Sequence, residues 1–233
     1  MPTVFLVPSF IAENAINTIP PYVLDAVKEC NVIFAENIRT TRRFLKSIDK
    51  EINIDNFEWF EIHKSEIEHL SDFKKKVSEN KNIAIISEAG CPGIADPGQK
   101  LVEIAQKAGC RIKPLVGPSS ILLALMASGM NGQQFEFVGY LPVDQLEREN
   151  RLRELENASS KNLSSKIFIE TPYRNDKLFE SIIKTCRPDT LLCIAKDITG
   201  KNEFIKTKPV AEWKKDIPSL HKQTVVFIIY AGF

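Results

Sequence analysis

Short apolar runs alternate along this chain with segments of helical spacing, and that rhythm limits its fold more than any other feature. Val4 to Val7, Val32 to Ala35 and Ile83 to Ser87 are brief and rich in β-branched residues, as buried strands should be. Between and after them, Val23 to Cys30, Thr40 to Ile48, His69 to Ser78 and Lys100 to Ala108 read as helices, the last stopped by Gly109. Arg111 to Val116 is a further strand, and Gly117-Pro118-Ser119-Ser120 opens a helix over Ile121 to Ser128. Strands and helices in this order imply βαβ units and a mostly parallel sheet, so the fold class is α/β.

Past Gly129 the texture changes. Phe135 to Tyr140 reads as a strand, Glu147 to Glu156 as a charged helix and Ala158 to Ser165 as a polar loop. The strands Lys166 to Glu170, Leu191 to Lys196 and Thr224 to Tyr230 follow, with a helix over Asp176 to Thr185. A lobe boundary is expected near residues 129 to 134. It would leave an N-terminal α/β lobe (1–130) and a C-terminal α/β lobe (131–233) with a mixed sheet.

Composition narrows the function classes. The net charge is only +1, so any nucleic-acid partner must be held by a local patch. Five scattered cysteines without a CxxC pair argue against a disulfide framework or a structural metal site, and fit a reducing cytoplasm. Neither a signal peptide nor a run of about 20 apolar residues is visible, so a soluble protein is expected.

The most informative segment is Ser87-Glu88-Ala89-Gly90-Cys91-Pro92-Gly93-Ile94-Ala95-Asp96-Pro97-Gly98, at the carboxyl end of an expected buried strand. Open α/β sheets bind ligands there, and glycines let the backbone approach a ligand closely. A Gly/Pro connector is the plain alternative. Against it stand the carboxylates Glu88 and Asp96, suited to sulfonium, amino or ribose groups, and a second loop of the same kind at Val116 to Ser120. Ser119 or Ser120 could equally be a helix cap. GxGxxG and GxxxxGK[ST] are both absent, which disfavours nicotinamide and nucleoside triphosphate enzymes.

The chain resembles the tetrapyrrole methylase superfamily, and within it the bacterial small-subunit rRNA cytidine 2′-O-methyltransferases. The resemblance rests on Leu6-Val7-Pro8, Ala35-Glu36-Asn37-Ile38-Arg39-Thr40-Thr41, Phe60-Glu61-Ile62-His63 and the Ser87 to Gly98 loop. That loop is similar to the family signature S-D-A-G-T-P-x-x-x-D-P-G. Further along lie Pro114 to Ser119, Phe137 to Pro142, Ile169-Glu170-Thr171-Pro172-Tyr173-Arg174 and Ala195-Lys196-Asp197-Ile198-Thr199.

The resemblance implies a two-lobed tetrapyrrole-methylase-like fold, S-adenosylmethionine in the cleft between the lobes, and a homodimer. It places Pro8, Glu88, Ala89, Gly90, Cys91, Pro92, Asp96, Ser119, Ser120 and Ile198 at the cofactor. Glu36, Arg39, Thr40, Tyr140 and Arg174 match positions facing the cleft, where Thr40, Tyr140 and Arg174 would hold substrate.

Departures are visible too. The usual P-x-G-N-L is Pro8-Ser9-Phe10-Ile11-Ala12 here, Glu88 and Cys91 replace Asp and Thr, and Asn37-Ile38 replaces Asp-Thr. The chain also ends just after its last expected strand, where the rRNA enzymes commonly continue.

Methyl transfer from a sulfonium is an in-line displacement governed by positioning, and a ribose hydroxyl benefits from a nearby base. Glu36, Asp96, Glu170 and Lys196 are the candidate bases, with Arg39 beside them at the chemistry. His63 is the histidine best placed by motif, and Arg39, Arg42, Arg43 and Lys46 form a basic stretch suited to phosphates. Three readings are therefore open: an rRNA ribose methyltransferase, a methyltransferase for a tetrapyrrole or other small molecule, and a non-catalytic cofactor- or RNA-binding member. No metal is called for.

Overall fold

The computed structural model describes residues 1–62 and 66–232, so His63 lies outside the described residues. The chain divides into two compact units, Met1–Ser119 and Ser120–Phe233. No helix among the described residues is long and apolar enough to cross a membrane.

The first unit runs β1 (Thr3–Val7), α1 (Tyr22–Lys28), β2 (Val32–Ala35), α2 (Ile38–Ile48), β3 (Glu58–Glu61), α3 (Leu70–Ser78), β4 (Ile83–Ile86), α4 (Gln99–Lys107) and β5 (Arg111–Pro114). Its sheet has the order β3-β2-β4-β1-β5, and every pairing is parallel. β2 and β4 are buried at every residue, because helices cover both faces.

Alternation along each strand sorts the core into two layers. Ile33, Ala84 and Ile86 pack with Val23 of α1 and with Phe44 and Leu45 of α2. Phe34, Ile83 and Ile85 turn the other way, to Phe73 of α3 and Leu101 of α4. Phe34 sits between Phe60, stacked at 4.7 Å, and Phe73, edge-on at 5.1 Å. Burying such side chains contributes about 1.5–3 kcal/mol each. All strands point the same way, so the loops after β1, β2, β4 and β5 emerge at one edge of the sheet.

The second unit runs α5 (Ser120–Ser128), β6 (Phe135–Tyr140), α6 (Gln145–Asn162), β7 (Ser165–Ile169), α7 (Asn175–Thr185), β8 (Leu191–Lys196), β9 (Phe204–Pro209), α8 (Val210–Trp213) and β10 (Val225–Tyr230). Its sheet, β6-β7-β10-β8-β9, is parallel only between β6 and β7. The mixed sheet expected from the sequence is therefore present. α5 packs against β8, β9 and β10, and Thr207 donates to the Ser128 carbonyl at 2.8 Å. That packing groups α5 with the second sheet. Leu152, Phe179 and Trp213 fill the core with Phe168 and Phe227.

Three expectations need correction. Residues 158 to 162 are the end of α6, not a loop: the helix continues to Asn162 and stops at Leu163, which has φ of 50°. The buried Ser159 hydroxyl secures this end, donating to the Ser164 carbonyl at 2.7 Å and accepting from Ala231 N at 2.9 Å. β3 and β9 are strands that the sequence reading passed over. Both are sheet edges, where polar residues are tolerated.

Candidate functional site

In the first unit the chain crosses the carboxyl edge of the sheet in loops that grip one another. Ser9, just past β1, and Gly90, just past β4, exchange backbone hydrogen bonds of 2.9 and 3.1 Å. The Ser9 hydroxyl donates to the Ser87 carbonyl at 3.0 Å, and the Ser87 hydroxyl to that of Gly90 at 3.3 Å. The Cys91 thiol reaches the Pro118 carbonyl at 3.5 Å, which draws in the loop after β5.

Two glycines permit this closeness. Gly90 has φ of +75°, and a Cβ on Gly117 would fall 2.2 Å from Cβ of Pro8. Pro8 therefore lies flat against the Gly117 backbone. The N–H groups of Ala89 and Cys91 find no hydrogen-bond partner among the described residues. Nor do the hydroxyls of Ser119 and Ser120, although α5 begins at Ser120.

Three carboxylates converge on the same loops. Glu36, after β2, accepts from Glu88 N at 2.8 Å, and Glu88 accepts from the Thr40 hydroxyl at 2.9 Å. Burial, then the neighbouring Glu36 and Glu88 charges, push the Asp96 carboxyl up to about 7. Burial and the Asp96 charge also raise the Cys91 thiol, so it is no ready nucleophile at neutral pH. Pro8, Glu36, Thr40, Glu88, Gly90, Cys91 and Asp96 are thus brought together, with Ala89 and Pro92 in the same loop.

Arg39 lies beside this cluster in sequence but is exposed on α2. It shares a face with Arg42, Arg43 and Lys46, spaced three and four residues apart. Arg42 stacks over the Trp59 ring at 5.1 Å.

In the second unit, Tyr140, Glu170 and Lys196 lie at one end of the sheet, because β6, β7 and β8 all run the same way. Tyr140 is 56% exposed. Glu170 is buried and accepts from Arg174 Nη2 at 2.6 Å and Nε at 3.0 Å, and from Thr171 N at 2.6 Å. Arg174 is therefore half of an internal ion pair. Lys196 donates to the Ser219 carbonyl at 3.2 Å and lies over the Phe204 ring at 5.4 Å. Because β10 separates β7 from β8, Lys196 and Glu170 make no contact with each other. Ile198 is buried in the turn after β8, between Asp197 and Thr199 at positive φ.

The sequence reading missed Ser9 and the approach of Pro8 to Gly117. A serine directly after a strand-ending proline was the available signal for the first. The second depends on contact between distant loops and had none.

A doubly wound parallel sheet with clasped Gly/Pro loops at its carboxyl edge, followed by a mixed sheet, defines a two-unit α/β class that binds ligands at strand ends, and comparison with known proteins narrows it. The family model for Tetrapyrrole (Corrin/Porphyrin) Methylases matches residues 16–214. "Ribosomal RNA small subunit methyltransferase I" of Buchnera aphidicola subsp. Schizaphis graminum is 32% identical over 214 residues, covering 90% of this chain and 72% of that protein. The protein of the same name from Escherichia coli O157:H7 is 30% identical over 229 residues, covering 97% and 76%. Among solved structures, the methyltransferase CobJ aligns with a TM-score of 0.64 at 17% identity, covering 98% of this chain and 92% of its own. Uroporphyrin-III-C-methyltransferase from Thermus thermophilus aligns at 0.54 and 13% identity, covering 99% and 95%. The chain belongs to the tetrapyrrole methylase family of S-adenosylmethionine-dependent methyltransferases.

Proposed function

We propose that this protein transfers the methyl group of S-adenosylmethionine to a ribose 2′-hydroxyl of small-subunit ribosomal RNA. The observation that carries the reading is the clasp of the β1, β4 and β5 loops around the Glu36–Glu88–Asp96 cluster. The cofactor bears a sulfonium and an amino group, and the Asp96 carboxyl, held up by its burial and by the Glu36 and Glu88 charges, gains from such a cation. The N–H groups of Ala89 and Cys91 and the hydroxyls of Ser119 and Ser120, without partners among the described residues, suit its carboxylate and ribose oxygens. The residues of these loops therefore fit the group: Pro8, Glu88 to Pro92, Asp96, Ser119 and Ser120 would hold it. Bound there, it supplies an electrophilic methyl.

The chain's own residues do the rest. A carboxyl held near 7 accepts a proton efficiently at neutral pH, which makes Asp96 a candidate base beside Glu36. Glu170, Lys196 and Arg39 are the other candidates at the chemistry, and Thr40, Tyr140 and Arg174 would position the acceptor. The relatives' names and the basic face of α2 support RNA as that acceptor.

We also place the protein in a reducing cytoplasm as a homodimer. All five cysteines are free, and α5 leaves Leu122 and Met126 exposed one turn apart, as a self-contact would require.

The test is incubation with labelled S-adenosylmethionine and small ribosomal subunits, followed by digestion to nucleosides. Label on a 2′-O-methylated nucleoside is expected. Label that enters only small molecules from a cell extract, or no product at all, would refute the acceptor.

A further inference from the structure

Arg148, in the first turn of α6, is 7% exposed, yet among the described residues it has no carboxylate partner. Its guanidinium meets only neutral acceptors: Nε donates to the Ser181 hydroxyl at 3.0 Å, and Nη1 to the carbonyls of Val143 at 2.7 Å and Pro142 at 3.3 Å. The two N–H groups of Nη2 have no partner among the described residues. A largely buried cation is costly unless it is paired, and an anion at the open Nη2 would complete its partners.

The space to receive that anion is present. Arg148 lines a cavity of about 390 Å³ with Arg174, Lys177 and Lys184, against the carboxylates Glu170 and Glu180. The size suits a small ligand or part of a larger one. Arg174, Lys177, Ser181 and Lys184 are spaced three, four and three residues apart, so α7 turns one face to the cavity. Two of these cations are committed: Arg174 to Glu170, and Lys184 to Glu149 at 2.8 Å. Lys177 is exposed and, among the described residues, makes no ion pair. Two cations thus remain for a ligand, a rigid buried fork and a mobile ammonium, facing Glu180 as the one lining carboxylate without an ion pair among the described residues. The cavity lies by the carboxyl ends of β6 and β7, the parallel pair of this sheet, where α/β proteins bind ligands.

We infer that this cavity binds a phosphate group, and that in the working enzyme the group is a phosphodiester of the RNA substrate. Guanidinium N–H groups pair with phosphate oxygens at fixed geometry, and an ammonium adds a point charge. The RNA half of the inference rests on the function proposed above. The phosphate half does not.

The test uses wild-type protein, Lys177→Glu and Arg148→Lys. Lys177 is exposed, so its variant keeps the proposal testable should Arg148→Lys fold poorly. Inorganic phosphate is titrated against each protein and followed by phosphorus NMR, and the Michaelis constant for small ribosomal subunits is measured over a salt series. Saturable phosphate binding in wild type is expected, lost in Lys177→Glu. The Michaelis constant of that variant should rise about fivefold to tenfold, with a shallower salt dependence and unchanged S-adenosylmethionine affinity. Wild-type subunits methylated equally well by all three proteins, without saturable phosphate binding, would overturn the site and leave the RNA reading standing. Saturable phosphate binding by an enzyme that never acts on subunits would overturn the RNA source instead, and the proposed acceptor with it.

Discussion

The carboxyl edges of the two sheets handle charge differently. At the first, Glu36, Glu88 and Asp96 gather, and burial, with the two glutamate charges adding to it, holds the Asp96 carboxyl near 7. At the second, Glu170 is locked to Arg174 at 2.6 Å, and the remaining charges nearby are the cations of Arg148 and Lys177 against the single carboxylate of Glu180. An edge that gathers carboxylates suits a cationic cofactor, and an edge with an open guanidinium suits an anion. The two sheets of one chain thus carry sites of opposite charge. Both edges follow the same rule for parallel strands, and the side chains alone distinguish them.

The comparison is most sharply broken at Gly117. Gly117→Val would drive a branched side chain into Pro8, since even a Cβ falls 2.2 Å from it, and so pry the β1 and β5 loops apart. Cofactor affinity should fall more than about a hundredfold by calorimetry, a loss of roughly 2.7 kcal/mol. Wild-type affinity would mean that the clasp is only a connector. Gly90→Val, at φ of +75°, should act in the same direction.

Asp96→Asn comes next, with a loss of about tenfold in cofactor affinity at pH 8. The folded-state pKa of about 7 lies above the ordinary value of 3.8, which fixes two signs. Stability from this group is fully present below about pH 4 and is lost as pH rises through 7, so wild type should melt lower at pH 8 than at pH 5 relative to Asp96→Asn. Affinity for a cation runs the other way and should climb through the same window. Thermal melts and calorimetry at both pH values check the two signs.

Much of this arrangement was legible in the sequence. β2, β4 and the Ser87 to Gly98 loop follow from apolar runs and glycines in series, because a doubly wound sheet buries its central strands completely. β9 was not legible, since Phe204-Ile205-Lys206-Thr207-Lys208-Pro209 is half polar and owes its strand to pairing with β8. Nor was the end of α6, whose Ser159 and Ser160 disfavour helix until Ser159 bonds to Ser164 and Ala231. Carboxylates 52 residues apart that hydrogen-bond through Glu88 N leave no trace in local spacing. Arg174 was marked as a candidate substrate residue by the resemblance alone. Its commitment to Glu170 became plain only when α7 placed it over a carboxylate whose side chain is 2% exposed.

That commitment gives the next prediction. Arg174→Ala strands a buried carboxylate and should cost about 1–3 kcal/mol, read as a melting temperature lower by several degrees. Loss of subunit methylation without any loss of stability would instead make Arg174 a substrate ligand first and a structural partner second. The smallest effect is expected on α2. Arg39→Ala should weaken subunit binding about threefold and lower the salt slope by roughly 0.7, because one exposed arginine releases about one counterion. An unchanged slope would remove that face from the RNA path.

The central claim is that the carboxylate cluster of the first unit holds the cationic methyl donor. Its most direct test is calorimetry of S-adenosylmethionine binding to ligand-free wild type and Asp96→Asn across pH 6 to 8. Wild type should bind about tenfold more tightly at pH 8, as ionisation around 7 completes the cluster's charge, while Asp96→Asn should bind weakly and without pH dependence. Equal affinity in both proteins at every pH would contradict the account.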